Sequence, residues 1–334
     1  MNHLLDIFIF AANAIMPVIL IILLGYWLKK KNFFTQEFLK VGNKTVFRVC
    51  LPLLLFYNIA EMDSLEGICF EAVAYVLCIV AVLVVSGVLL ATLVSDGKQK
   101  GVILQCVFRS NFALIGVPLA ELIAGSEGVR AAAVLSMFTI PVYNVLSVVA
   151  LSVYKNEKAE LSVKKLLTDI VKNPLIQGVA CGIMVLLLKP VAVPLISDSM
   201  WGKINFAHEA VACISKASTP LSLLVLGGQF EFQKIKGYRK QITIGVLGRN
   251  VIAPMLGVGG AMLLVKSGIV TFDSGIFAAF IALFATPVAV ASAIMAEAMD
   301  NDGQLAGQLV VWTSLLSVIT LFIMILFARG AGFL

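Results

Sequence analysis

Charge is scarce in this chain. Of its 334 residues 13% are Asp, Glu, Lys or Arg and 60% are hydrophobic, against roughly 25% charged in a soluble domain. That balance excludes a soluble globular protein and leaves a polytopic membrane protein. Histidine is scarcer still: His3 and His208 are the only two, both near the edges of apolar stretches, so imidazole-based catalysis has no centre to form on. The six cysteines, Cys50, Cys69, Cys78, Cys106, Cys181 and Cys213, lie almost wholly in apolar stretches without CxxC spacing or neighbouring histidines. They read as small apolar packers, not as a metal site or disulfide framework. Long polar segments are missing too. The longest connection, about 154–169, is short and charged, so no nucleotide fold or sensor output domain fits, and no cofactor is implied. An intramembrane enzyme needs an Asp/Asp, Ser/His or His/Glu constellation at depth, and a channel of the known kind a repeated selectivity filter; neither pattern is visible.

What is present is apolar sequence in pieces of about 20 residues, the length that spans a bilayer. Ten such stretches fall at roughly 7–28, 38–59, 68–94, 102–124, 129–153, 170–189, 208–229, 241–265, 275–297 and 304–328. The first has its basic cluster after the apolar run, not before it, and the run is too long for a signal peptide core, so a retained helix is expected. Lysine and arginine fall unevenly on the connections. Fifteen lie on one side, including Lys29, Lys98, Lys164 and Arg239, and five on the other: Arg130, Lys189, Lys203, Lys266 and Arg329. The positive-inside rule then predicts both termini outside the cytoplasm and a short cytoplasmic linker at 154–169. It also accounts for the net charge of +6 through the lipid bilayer, with no nucleic acid as partner.

Two apolar stretches are interrupted. Asn111-Phe112-Ala113-Leu114-Ile115-Gly116-Val117-Pro118 places an amide, a glycine and a proline in the fourth, and Ala285-Thr286-Pro287-Val288-Ala289 breaks the ninth, with prolines 169 positions apart. A broken helix at membrane depth persists only where it is buried or lines a cavity. Other features repeat at nearly the same offset: Arg48-x-x-x-Pro52-Leu53-x-Leu55 and Lys216-x-x-x-Pro220-Leu221-x-Leu223 at 168, Leu146-Ser147-Val148 and Leu316-Ser317-Val318 at 170. An odd number of spans per half forces the halves, 1–153 and 170–334, into opposite orientations. The expected fold is therefore an all-α integral membrane protein of about ten transmembrane helices, in two inverted five-helix repeats.

These residues resemble a known family. Asn111-x-x-x-x-Gly116-x-Pro118, the Pro287 to Ala296 segment with its Ile294-Met295-Ala296, and the ten-span layout look like the auxin efflux carrier family, whose bacterial members include malate and malonate permeases. The resemblance covers essentially the whole chain. It implies a fold like that of sodium/proton antiporters and bile acid symporters, with crossed broken helices 4 and 9. Spans 1, 2, 6 and 7 would form a scaffold, and spans 3–5 and 8–10 a transport domain moving as an elevator. A homodimer through the scaffold is the candidate assembly. The plant carriers have a long loop between spans 5 and 6 that is missing here, which places this chain nearer the bacterial permeases.

The expected partner is a small organic anion, malate- or malonate-like or an auxin-like weak acid. Half-helix N-termini at the breaks present unpaired N–H groups and a positive dipole end. Asn111, with Ser110, Gly116 and Pro118, and Thr286, Pro287 and Ser292 are the candidate binding residues, Asn111 competing with a role as interhelical glue. Arg48 and Lys216, each four residues before a proline, either flank the anion from the scaffold or snorkel. For Lys44, Arg109 and Arg249 snorkelling to the interface is the expectation. Glu121 is the candidate proton carrier. The competing functions are a sodium- or proton-coupled carrier of the same fold and, from another class, a membrane sensor or enzyme.

Overall fold

The computed structural model describes residues 2–60, 69–154, 168, 171–195, 205–230 and 235–334. Most of the 154–169 linker, with Lys155, Lys158, Lys164 and Lys165, lies outside the described residues, as do Lys203 and Lys234. Among the described residues the chain is helical: α1 (Asn2–Lys30), α2 (Gln36–Thr45), α3 (Leu51–Ala60), α4 (Phe70–Ala91), α5 (Gly97–Phe108), α6 (Val117–Val153), α7 (Pro174–Leu195), α8 (Asn205–Gln229), α9 (Ile235–Leu247), α10 (Gly260–Lys266), α11 (Ser274–Phe284), α12 (Val290–Ala298) and α13 (Gly303–Gly330). Five helices are each long and apolar enough to cross a membrane: Phe70–Ala91, Val117–Val153, Phe206–Gln229, Gly237–Lys266 and Gly303–Gly330. The expected gap between the fourth and fifth stretches, after residue 124, falls inside α6 and is a sharp bend. At Ala124 and Gly125 the chain leaves helical geometry, Gly125 taking φ 58° and ψ −140°, a region glycine enters without steric cost.

Prolines shape three of the rods in the same way. A π-helical turn lies just ahead of Pro52 (Val46–Cys50), Pro118 (Phe112–Gly116) and Pro254 (Gly248–Ile252), and each time the residue before the proline donates to the carbonyl five positions back: Leu51 to Val46, Val117 to Phe112, Ala253 to Gly248. A proline ring clashes with the carbonyl four residues back and lacks a donor of its own. Widening the preceding turn relieves the clash without ending the helix.

Helix starts divide into two kinds. Thr35, Asp96, Asp273 and Asp302 cap α2, α5, α11 and α13 by accepting from Phe38, Gln99, Ile276 and Leu305 N–H at 3.1, 3.1, 2.8 and 2.9 Å, each cap worth about 0.5–2 kcal/mol. The helical segments that begin at Phe112 and Val290 have no side-chain cap. Those two starts lie inside the protein.

Packing sorts the rods. α1, α2–α3, α7 and α8 lie against one another, while α4, α5, α6, α9 and α11–α13 form a second set, joined to the first chiefly through α1 on α13 and α8 on α12. Close approach in the first set needs glycine: a Cβ at Gly178 would run into the Pro52 carbonyl, and one at Gly227 into that of Ile22. At the centre of the second set everything is buried, from Gly101 to Phe108 in α5 and from Gly275 to Phe284 in α11. Helices apolar on all sides belong in such a position.

Candidate functional site

Two short extended segments cross where these buried helices end. α5 stops at Phe108, Arg109 turns extended, and the chain through Ser110 to Asn111 runs against the segment after α11. Ser110 and Val288 form an isolated antiparallel bridge. The Asn111 N–H donates to the Pro287 carbonyl at 2.8 Å and the Ala289 N–H to the Arg109 carbonyl at 3.3 Å. Pro287 itself ends α11, because it lacks a donor and keeps Thr286 from continuing the helix. The fourth-stretch break sits upstream of its proline: Pro118 is an exposed second residue of α6, and it is Asn111 that meets Pro287.

Each broken helix leaves carbonyls at its C-terminal end and N–H groups at its N-terminal end unpaired, and different groups meet the two needs. The C-terminal ends converge on Arg249, which is wholly buried. Its Nε donates to the Thr286 carbonyl at 2.9 Å, Nη1 to Val107 and Phe108 at 3.1 and 3.4 Å, and Nη2 to Leu283 and Phe284 at 3.0 and 2.8 Å. The snorkelling expectation for Arg249 is thus wrong. Five carbonyls and the negative ends of two helices offer the guanidinium a better partner than the interface does. Arg109 also stays inside, at 5% exposure. Its Nη2 donates to Asn144 Oδ1 at 2.9 Å and its Nη1 approaches the Met295 sulfur. Lys44, third of that group, is exposed on α2.

The N-terminal ends face a cavity of about 100 Å³. By the same measure one water needs about 10–15 Å³, so the space takes several waters or a compact acid of a few carbons. Phe112, Val290 and Ala291, the first residues of the two uncapped segments, lie on its wall together with the polar groups of Arg109, Ser110, Asn111, Tyr143 and Asn144. Thr219 and Ser222 of α8 and Asn58 and Leu54 of α3 close the far side. Asn144 is oriented by its own donation to the Ile140 carbonyl at 2.8 Å. Ser110 and Tyr143 are close enough to interact, yet neither hydroxyl makes a well-formed hydrogen bond among the described residues. Such buried hydroxyls are rare unless a ligand or water completes them.

The predicted residues separate on this geometry. Ser110 and Asn111 line the cavity and Pro287 supplies a crossing carbonyl. Thr286 turns its hydroxyl back to the Ala282 carbonyl at 2.8 Å. Gly116 is a contact point, with no room for a Cβ between the Phe112 ring and the Ala282 carbonyl. Ser292 is buried with its hydroxyl unpaired among the described residues, but off the cavity wall. Glu121 and Lys216 are exposed, and Arg48 lines a different cavity. Sequence reasoning passed over Tyr143 and Asn144. The signal available was an amide beside a tyrosine at the centre of the fifth apolar stretch.

Comparison with known proteins agrees with this picture at the level of the family. The family described as membrane transport protein matches residues 10–325. The chain is also similar to an uncharacterized transporter of Methanothermobacter thermautotrophicus, 22% identical over 325 residues that cover 94% of this chain and 97% of that protein.

Proposed function

The chain belongs to the membrane transport protein family, the auxin efflux carrier family that its broken-helix motifs resemble, and on that premise we propose that it is a secondary carrier of small organic carboxylates. The observation that carries the reading is the convergence of two uncapped helix N-termini and the Arg109 guanidinium on one cavity. Backbone N–H groups at a helix start and a bidentate guanidinium are the groups that hold a carboxylate in a low-dielectric site. Among the described residues no carboxylate lines that cavity, which favours an anion over a cation as the bound species. Asn111, Ser110 and Tyr143 would orient it by donating to the remaining oxygens.

In this reading the ten apolar stretches cross the membrane as two inverted halves with both termini outside the cytoplasm. The α1, α2–α3, α7 and α8 set would be the scaffold, and the set that holds the crossing would carry the anion past it. Impermeant thiol labelling of Lys164→Cys, reactive only from the cytoplasmic side, tests the orientation. Thermal stabilisation of the purified protein by malate, malonate, lactate, succinate and indole acetate tests the substrate class. A ligand at a hundred times its Kd adds about 2.7 kcal/mol, and that gain should vanish in Arg109→Gln. Silence from every carboxylate, with the wild-type protein folded, would reject the reading.

A further inference from the structure

One helix links the crossing cavity to two larger cavities. The rod from Gln36 to Ala60 turns Leu51, Leu54 and Asn58 toward the crossing and Lys40, Lys44 and Arg48 toward a neighbouring space of about 320 Å³, which adjoins a third of about 400 Å³ reached also by Lys29 and Lys30. The spacing 40, 44, 48, 51, 54/55, 58 is the three-to-four repeat of one helix face. Two more elements run the same course. α8 presents Thr219 and Ser222 to the crossing and Gln229 to the outer cavities, and α12 presents Val290 and Ala291 at its start and Glu297 at its end. On the first rod Phe47 is on the wall of the outer cavity and Leu51 on that of the crossing cavity, and both are buried. They are one turn apart, about 6 Å along the axis, and they bracket the end of the π-helical turn Val46–Cys50.

The outer cavity is more than a solvated basic face. Asn43 on its wall is 4% exposed, and its Oδ1 has no hydrogen-bond partner among the described residues. A buried amide left incomplete beside three cations and one carboxylate, Glu297, on a wall that is net positive, suits a ligand with both negative charge and polar atoms.

We infer that the cavity of Lys40, Asn43, Lys44 and Arg48 is a second, transit subsite for the carried anion, separated from the crossing cavity by Phe47 and Leu51 at the π turn. The inference rests on the carrier reading for the identity of the anion, not for the existence of the subsite. The three cations outnumber the single carboxylate of Glu297 on this wall, and the net positive charge raises the local anion concentration and loads the crossing cavity from this side. Arg48 therefore acts one step away from the crossing cavity.

Two measurements test it. The first reads the subsite alone: Ala298→Cys on the cavity wall, with Cys69, Cys78, Cys181 and Cys213 replaced by alanine, is modified in nanodiscs by an anionic and by a cationic methanethiosulfonate. The anionic reagent should react at least tenfold faster relative to its cationic partner than it does with a free thiol. That preference should collapse toward one in Lys40→Gln/Lys44→Gln/Arg48→Gln, or fall about threefold in Arg48→Gln if the triple variant does not fold. The second reads transit. In proteoliposomes carrying the same substitutions, malate binding should stay within threefold of wild type while the initial uptake rate falls at least tenfold and loses its dependence on ionic strength. A preference near one in the parent, or a neutralised variant with the parent's uptake and salt dependence, overturns the subsite. Malate that fails to bind wild type while the reagent preference persists removes the carboxylate reading and supports the subsite as one for another anion.

Discussion

The two breaks share a geometry and differ in chemistry. Each ends a buried half-helix whose carbonyls go to Arg249, each contributes an extended residue to the Ser110–Val288 bridge, and each starts an uncapped helical segment on the same cavity. The first break, Arg109-Ser110-Asn111, puts three polar side chains on the cavity wall. The second, Thr286 to Ala289, gives backbone: its only hydroxyl bonds back to Ala282, and the wall there is formed by Ala289 with Val290 and Ala291 at the start of α12. Two segments can therefore build the same crossing while only one supplies the side chains that would recognise a ligand.

The largest effect should come from the group both breaks share. Arg249→Met removes the donor for five buried carbonyls, and with each unmet buried acceptor costing about 1–3 kcal/mol a destabilisation of at least about 3 kcal/mol is expected. Thermal unfolding in detergent checks this. A variant as stable as wild type would mean that the half-helix ends do not depend on the guanidinium. Arg109→Gln comes next and falls on one side of the comparison. It should weaken carboxylate binding by about 1.5–3 kcal/mol, the range for hydrogen bonds to a charged group, read by calorimetric titration with malate. Unchanged affinity would move the anion off the first break.

Asn111→Ala follows. A ligand role predicts an intact fold and binding weaker by about 1–3 kcal/mol; a role as helix glue predicts lower stability with affinity kept in the folded fraction. Thr286→Val should have the smallest effect. It deletes a local bond worth about 0.5–1.5 kcal/mol of stability and should leave malate affinity within about threefold. If Thr286→Val cuts affinity as deeply as Asn111→Ala, the asymmetry between the breaks is wrong and both supply side-chain contacts.

Some of this was legible from residue order. Interruptions at Asn111 and Pro287 stand out because an amide and a proline in apolar sequence violate the demand that a buried helix satisfy its own backbone. Arg109 and Arg249 were misread for one reason: a cation in an apolar stretch has two remedies, reaching the interface or finding internal partners, and local sequence shows only the first. Tyr143 and Asn144 carry no motif, and only the fold of α6 back past the crossing brings them to Ser110 and Arg109.

Sequence alone determined that this chain belongs in a membrane, that two apolar segments break, and that the breaks carry polar groups. Those facts follow from composition and from proline and amide chemistry acting over a few residues. Tertiary structure decided which groups answer the breaks. The carbonyls of Val107 and Phe108 are met by a guanidinium about 140 positions away, and the Asn111 N–H by the carbonyl of Pro287. A buried charge or an open backbone group takes whatever partner the packing brings within about 3 Å, and that partner is set by how the helices cross.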